Sequence, residues 1–281
     1  MRRLLLCTDL DRTLLPNGPE PESANARKKF SRLAQHPQVT LVYVTGRHQQ
    51  LVKQAIEEYE LPQADYVIAD VGSTIYEIND HDWHYQQQWE KLIDDDWQGR
   101  NANQLHSLLI DLNGLQLQEE SKQNTHKLSY YLALNNDHQK IISAMENLLQ
   151  QQSIKANLIW SIDQLDNIGL LDVLPASAGK RQAIEFLMQQ LKFDYSETVF
   201  SGDSGNDICV MSSQIQSVLV ANAEEQVRDA AIKQAQANHQ QNTLYLAQGN
   251  FMHMNGNYSA GILEGVAHYI PQAENWIRGE K

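Results

Sequence analysis

Short apolar runs recur along the first third of the chain, separated by amphipathic stretches. Leu4-Leu5-Leu6, residues 39–44 and residues 65–69 are short and largely apolar, and read as buried strands. Between the first two, the loop Pro16-Asn17-Gly18-Pro19-Glu20-Pro21 leads to Ser23, which can cap a helix ending near residue 35. Between the second and third, Leu51, Val52, Ala55, Ile56 and Tyr59 stand at helical spacing. Strand, helix, strand, helix, strand predicts a parallel sheet with helices on both faces.

From about residue 80 the texture changes. Trp83, Trp89 and Trp97 fall among polar and acidic residues that include Asp94-Asp95-Asp96. They are expected to pack inside a module of their own rather than to serve as ligand platforms. A helix near 103–112, strands at 115–119 and 127–134, a helix at 137–151 and strands at 154–161 and 169–174 suggest an α+β unit with a largely antiparallel sheet. The βα rhythm then resumes, with a helix at 180–191, strands at 198–201, 217–221 and 243–247, and a closing helix at 259–269. The expected fold is α/β. Residues 1–80 and 176–281 form a Rossmann-like parallel-sheet core, and residues 81–175 are inserted as an α+β cap.

Composition narrows the partners. The 281 residues carry a formal charge of −13, which argues against nucleic acid or an anionic membrane but not against a small phosphorylated ligand. No apolar run approaches the roughly 20 residues of a membrane span. Met1-Arg2-Arg3 and the few apolar residues after it are too short for a signal peptide. Cys7 and Cys209 lack metal-binding spacing, lie near apolar segments and read as buried free thiols. These features together suit a cytoplasmic enzyme.

The candidate chemistry begins at Cys7-Thr8-Asp9-Leu10-Asp11-Arg12-Thr13-Leu14-Leu15. Side-chain period two points Asp9 and Asp11 the same way at the end of a buried strand. Either a divalent cation such as Mg²⁺ uses these carboxylates, or the strand simply ends in a solvated polar turn. Three further stretches bear on that choice. Thr45-Gly46-Arg47, Lys180 after Ala178-Gly179, and Gly202-Asp203-Ser204-Gly205-Asn206-Asp207 also sit where strands end and helices begin. In an open parallel sheet those ends share one crevice. Acids, a hydroxyl beside a flexible backbone and a cation are what phosphoryl transfer to an aspartate requires.

The order and content of these stretches resemble the haloacid dehalogenase superfamily of phosphotransferases. Asp-Leu-Asp-Arg-Thr-Leu is similar to its first motif and Gly-Asp-Ser-Gly-Asn-Asp to its fourth. The resemblance implies Asp9 as nucleophile and Asp11 as general acid/base. It implies Mg²⁺ held by Asp9, Asp203 and the backbone carbonyl of Asp11, with Asp207 supporting the metal. It further implies phosphoryl binding by Leu10, Thr45, Gly46, Lys180 and Asn206.

Within the superfamily the chain resembles sucrose-phosphate phosphatases. The residues that carry this are Val44-Thr45-Gly46-Arg47, Asp70-Val71-Gly72-Ser73-Thr74-Ile75-Tyr76, Lys127-Leu128-Ser129-Tyr130-Tyr131-Leu132, Asp172-Val173-Leu174-Pro175 and Tyr258-Ser259-Ala260-Gly261-Ile262-Leu263. The third motif departs from the family's Asn-Lys-Gly, reading Gly179-Lys180-Arg181, and the run 162–168 is longer than the family's turn. The implied activity is Mg²⁺-dependent hydrolysis of a disaccharide monophosphate, sucrose 6-phosphate first and mannosylfructose phosphate second. A regulatory partner that docks on a sugar-phosphate synthase is the third reading. Expected sugar contacts are Arg47, Gly72, Ser73, Lys127, Ser129, Tyr131 and Asp172. Along 127–134 the alternation gives Leu128, Tyr130, Leu132 and Leu134 to one face and Lys127, Ser129 and Tyr131 to the other.

Overall fold

A computed structural model describes residues 3–163 and 166–279. The run 162–168 therefore lies partly outside the described residues. An eight-stranded sheet is built from β1 (Leu4–Thr8), β2 (Val39–Val44), β3 (Tyr66–Ala69), β4 (Thr74–Asn79) and β5 (Asp82–Tyr85). A four-stranded sheet follows, with β6 (Gln116–Leu117), β7 (Leu128–Leu132), β8 (Ala156–Asp163) and β9 (Ile168–Pro175). The chain then returns to the large sheet with β10 (Thr198–Gly202), β11 (Gln216–Leu219) and β12 (Leu244–Leu246).

The large sheet runs β12-β11-β10-β1-β2-β3-β4-β5. Its first six strands pair in parallel, while β4 and β5 run antiparallel as a hairpin on the edge. Strand β1 is buried along its whole length. Leu4 and Leu6 pack into a cluster with Phe30, Leu33 and Ile262, whereas Leu5 and Cys7 pack with Ile184, Leu187 and Met211 on the opposite side. A strand covered on both faces reads as a continuous apolar run, which is why Leu4-Leu5-Leu6 carries no alternation.

The small sheet, in order β6-β7-β9-β8, is antiparallel throughout. Leu128, Tyr130 and Leu132 of β7 join Leu171 and Val173 of β9 against the helices Ala102–Leu109 and His138–Gln151. The alternation along β7 is as expected, except that the strand ends at Leu132 and Leu134 is exposed.

Three expectations are corrected. Residues 74–85 form a hairpin of the large sheet whose two-residue turn, Asp80-His81, has both residues at positive φ, 48° and 72°. That backbone is the one hairpin turns favour, but Asp-His is not the usual Asn-Gly signal for it. Trp83 and Trp89 consequently pack on the large sheet, Trp83 edge-on to Tyr76 and Trp89 against Phe186. Trp97 is the first side chain of the small sheet's cluster. Finally, Cys7 is buried but Cys209 is exposed. Among the described residues, no helix is long and apolar enough to cross a membrane.

Candidate active site

Parallel pairing brings the carboxyl ends of β10, β1, β2 and β3 to one edge, and the loops after them meet there. Asp9 follows β1 directly, and its amide is tied to the Ser201 carbonyl of β10 at 2.9 Å. Asp9 Oδ1 accepts from the Leu10 amide at 2.6 Å, and Oδ2 accepts from Lys180 Nζ at 2.8 Å. The same ammonium donates to Asp207 Oδ1 at 2.7 Å. Lys180 is fully buried at the start of the helix Lys180–Leu191. Gly179 before it has φ 139°, and a side chain on Gly72 (φ 101°) would collide with the Gly179 backbone. Two glycines thus let the turn bearing Lys180 press against the turn after β3.

Asp207 is spent on orientation. Its Oδ2 accepts from the amides of Asp203 and Ser204, each at 3.1 Å, and from the Ser204 hydroxyl at 3.2 Å. Gly202 is required here because a Cβ would strike the Asp207 carboxylate. Asp203 Oδ1 accepts from the Thr13 hydroxyl at 2.8 Å. Asp9, Asp203 and Asp207 are all buried, with carboxylate oxygens within 4.8 Å of one another. Burial pushes Asp9 up to about 7 and Asp207 repels its charge, while Lys180 pulls the other way. Asp203 is raised well above the carboxylate range, by burial first and then by Asp9 and Asp207. Burial opposes the charge on Lys180, yet Asp207 and Asp9 together hold its pKa above the ordinary value. Of the three crowded acids, Asp9 and Asp207 share the Lys180 ammonium, while Asp203 bonds to the Thr13 hydroxyl and has the Arg12 guanidinium no nearer than 3.8 Å. An all-oxygen donor set of this kind fits a hard divalent cation such as Mg²⁺.

Asp11 is gripped differently. Arg47 Nε donates to Oδ2 at 2.8 Å and Nη2 to Oδ1 at 2.6 Å, and the Asn17 amide adds a third bond at 2.7 Å. Burial alone would raise Asp11, but this bidentate clamp lowers it.

These groups floor a cleft of about 580 Å³ between the sheets. Of the residues expected from sequence, Asp9, Asp11, Gly46, Arg47, Lys127, Asp172, Asp203 and Asn206 line it. Lys180 and Asp207 lie directly behind Asp9. Thr45 is buried and its hydroxyl accepts from the Arg47 amide at 3.2 Å. Gly72 and Ser73 do not reach the cleft lining. The Gly72 carbonyl accepts from Trp89 Nε1, and the Ser73 hydroxyl pairs with the Asp70 carbonyl and the Asn124 amide. Asn206 accepts from the Ser204 hydroxyl at 3.0 Å.

On the facing wall, Lys127 Nζ donates to the Ser129 hydroxyl at 2.7 Å and lies 3.4 Å from Asp172 Oδ1. The Ser129 hydroxyl donates to the same Asp172 oxygen at 2.5 Å. Ser129 is fully buried and, like Tyr131, stands outside the lining; the Tyr131 hydroxyl is shared between Lys122 at 2.7 Å and Glu119 at 2.9 Å.

Sequence reasoning passed over Arg12, Asn17, Asp70, Gln118, Lys122 and Glu224, all of which line the cleft. Arg12 stands at φ 54°, with its amide on Asn17 and its carbonyl on Asn222. Its guanidinium meets Glu224 at 3.2 Å and Asp203 at 3.8 Å. Asn17 was legible only as part of a turn, and nothing local marks its contact with Asp11.

The family model for sucrose-6F-phosphate phosphohydrolase matches residues 2–270. The chain belongs to that family. It is a phosphoric monoester hydrolase of the haloacid dehalogenase superfamily. It is 51% identical, over 98% of its length and 74% of the relative's, to a protein of Nitrosococcus oceani described as a HAD-like hydrolase. It is 28% identical to sucrose-phosphatase 1 of Nicotiana tabacum, with 95% of this chain matched but only 59% of the tobacco protein. It is also 28% identical to the mannosylfructose-phosphate phosphatase of Agrobacterium fabrum, over 94% of this chain and 96% of that one. The solved sucrose-phosphatase of Synechocystis, in complex with sucrose and phosphate, superposes with a TM-score of 0.76 at 26% identity, covering 96% and 98% of the two chains.

Proposed function

We propose that this phosphatase hydrolyses a disaccharide monophosphate, sucrose 6-phosphate before mannosylfructose phosphate, through an aspartyl-phosphate on Asp9. The observation that carries the reading is the pairing of Asp9 with buried Lys180 and the Asp203–Asp207 turn on the floor of a cleft roofed by Lys127 and Asp172. Residues 1–80 and 176–281 supply the chemistry, and the inserted segment supplies the roof. In this reading Mg²⁺ is held by Asp9, Asp203 and the Asp11 carbonyl, and when bound it neutralises charge on the phosphoryl oxygens.

Asp9 Oδ attacks phosphorus and the bond to the sugar oxygen breaks. Asp11, once released from Arg47, delivers a proton to that oxygen and later takes one from the water that hydrolyses the acyl phosphate. Lys180 balances the charge of Asp9 before attack and of the phosphoryl group after it. The Leu10 amide, Thr45 and Gly46 hold the equatorial oxygens. Lys127 and Asp172, both bonded to buried Ser129, offer donors and acceptors to sugar hydroxyls, and the cleft is large enough for a disaccharide. The cytoplasm is the proposed compartment, in keeping with two free thiols, Cys7 and Cys209.

The test is phosphate release from sucrose 6-phosphate, mannosylfructose phosphate and an aryl phosphate, with Mg²⁺ and with chelator. Mg²⁺-dependent release that favours a disaccharide phosphate by at least about tenfold in kcat/KM supports the reading. Preference for the aryl phosphate would refute the sugar assignment and leave the core chemistry standing.

A further inference from the structure

The turn after β3 is the most unusual backbone near the cleft. Asp70, Val71 and Gly72 have φ of 54°, 60° and 101° in succession. Glycine adopts such angles freely, but a β-branched valine does so only under constraint. Strain of this kind costs on the order of 1–3 kcal/mol per residue and survives where surrounding bonds over-determine it. Here the bonds are visible. The Asp70 amide donates to the Arg47 carbonyl and the Val71 amide to the Thr45 carbonyl, each at 3.0 Å. A Cβ on Gly46 would sit 3.7 Å from a Val71 methyl. The strained pair is therefore laced to the loop that the proposed function assigns to the phosphoryl group.

Asp70 lines the cleft and is only 5% exposed, its carboxylate accepting hydrogen bonds from Thr74 and Asn124. Nothing in the proposed chemistry uses it. It faces Thr74 and Asn124, and Lys127 on the opposite wall and His48 act on it electrostatically. It thus stands between the phosphoryl loop on one side and the polar roof on the other.

We propose that Asp70 is a specificity-determining residue that accepts hydrogen bonds from hydroxyls of the sugar ring bearing the phosphoryl group. This rests on the sugar-phosphate reading given above. A carboxylate held at the mouth of the phosphoryl loop repels a second phosphate, disfavours an apolar leaving group and rewards a neutral polyhydroxylated one. Burial keeps it poorly hydrated, so hydroxyl donors meet an acceptor that water does not already saturate.

Two variants separate recognition from architecture. Asp70→Asn preserves a residue type that tolerates a left-handed backbone, and Asp70→Gly removes the side chain at a φ glycine accepts. Each is assayed on the best sugar phosphate found for the wild type and on p-nitrophenyl phosphate, and sucrose binding is measured calorimetrically. The expected result is a loss of sugar-phosphate kcat/KM that exceeds the loss on the aryl phosphate by about tenfold for Asn and about 100-fold for Gly, mainly through KM, with weaker sucrose binding. Equal losses on both substrates would overturn the proposal and make Asp70 a structural pin. An unchanged sugar-to-aryl ratio with full activity would overturn it as well. The substrate preference of the wild type is read in the same experiment, so a wrong sugar assignment appears there and not in the variant ratio.

Discussion

The two walls of the cleft are built by different means. On the floor, Asp9, Lys180, Asp203 and Asp207 are held by backbone amides or fully buried partners, and Asp11 by the side-chain clamp of Arg47. Lys180 bridges Asp9 and Asp207, two amides fix Asp207, a side chain at Gly72 or Gly202 would collide, and Gly179 holds a φ of 139°. On the roof, Lys127, Ser129 and Asp172 hold one another through side chains projecting from a sheet face, and Tyr131 is turned aside to Lys122 and Glu119. A floor fixed by backbone can perform one reaction with little tolerance. A roof fixed by exchangeable side chains can be re-lettered for another sugar. Relatives described as acting on sucrose phosphate and on mannosylfructose phosphate match this chain equally, at 28% identity.

The contrast can be broken most severely at the floor. Asp9→Asn is expected to lower turnover of every phosphate ester by about 10⁴-fold or more, because the nucleophile proposed above would be common to all of them. Steady-state assays on a sugar phosphate and an aryl phosphate check this. Lys180→Met leaves Asp9 and Asp207 buried without their cation. It should cost about 3–5 kcal/mol in urea unfolding, measured in chelator, with part of the loss restored by millimolar Mg²⁺.

Roof substitutions should act more gently and selectively. Lys127→Met or Asp172→Asn is expected to reduce sugar-phosphate kcat/KM at least about tenfold more than aryl-phosphate kcat/KM. Comparable losses on both would erase the distinction between the walls.

The smallest effect concerns pH. Asp203 and Asp9 have folded pKa values above their unfolded ones. The metal-free fold is therefore favoured at low pH and loses stability as pH rises through the ordinary carboxylate range toward about 7. A cation binds the ionised form, so Mg²⁺ should raise the melting temperature more at pH 8 than at pH 6. Thermal unfolding at the two pH values reads the difference directly, and a larger shift at pH 6 would contradict it.

Much of the floor was legible in the sequence because it follows from strand ends. A buried apolar run stopping at Asp9, another at Thr45 and a third at Asp203 put those residues on one edge once the strands pair in parallel. The inward and outward faces of β7 were equally legible, since alternation survives wherever one sheet face is packed and the other is not. What stayed hidden depended on distance or on backbone angles. Arg47 clamps Asp11 across 36 positions. The helix Gln87–Asp94 has three apolar residues, of which Leu92 is exposed and only Trp89 and Ile93 are buried, too sparse a stripe to reveal that it covers the large sheet. The Asp80-His81 turn and the left-handed Asp70-Val71 pair use conformations that their residue types seldom advertise. Gly72 was chosen for the sugar and instead serves the Gly179 turn, while its neighbour Asp70 reaches the cleft.

The central claim is that Asp9 becomes phosphorylated by a sugar phosphate that the roof has helped to select. Rapid quenching of the enzyme with ³²P-labelled sucrose 6-phosphate and Mg²⁺, followed by peptide mapping, tests it most directly. The account predicts an acid-stable, hydroxylamine-labile label on the peptide containing Asp9, absent in Asp9→Asn. Normal turnover without label on that peptide, or label retained in Asp9→Asn, would contradict it.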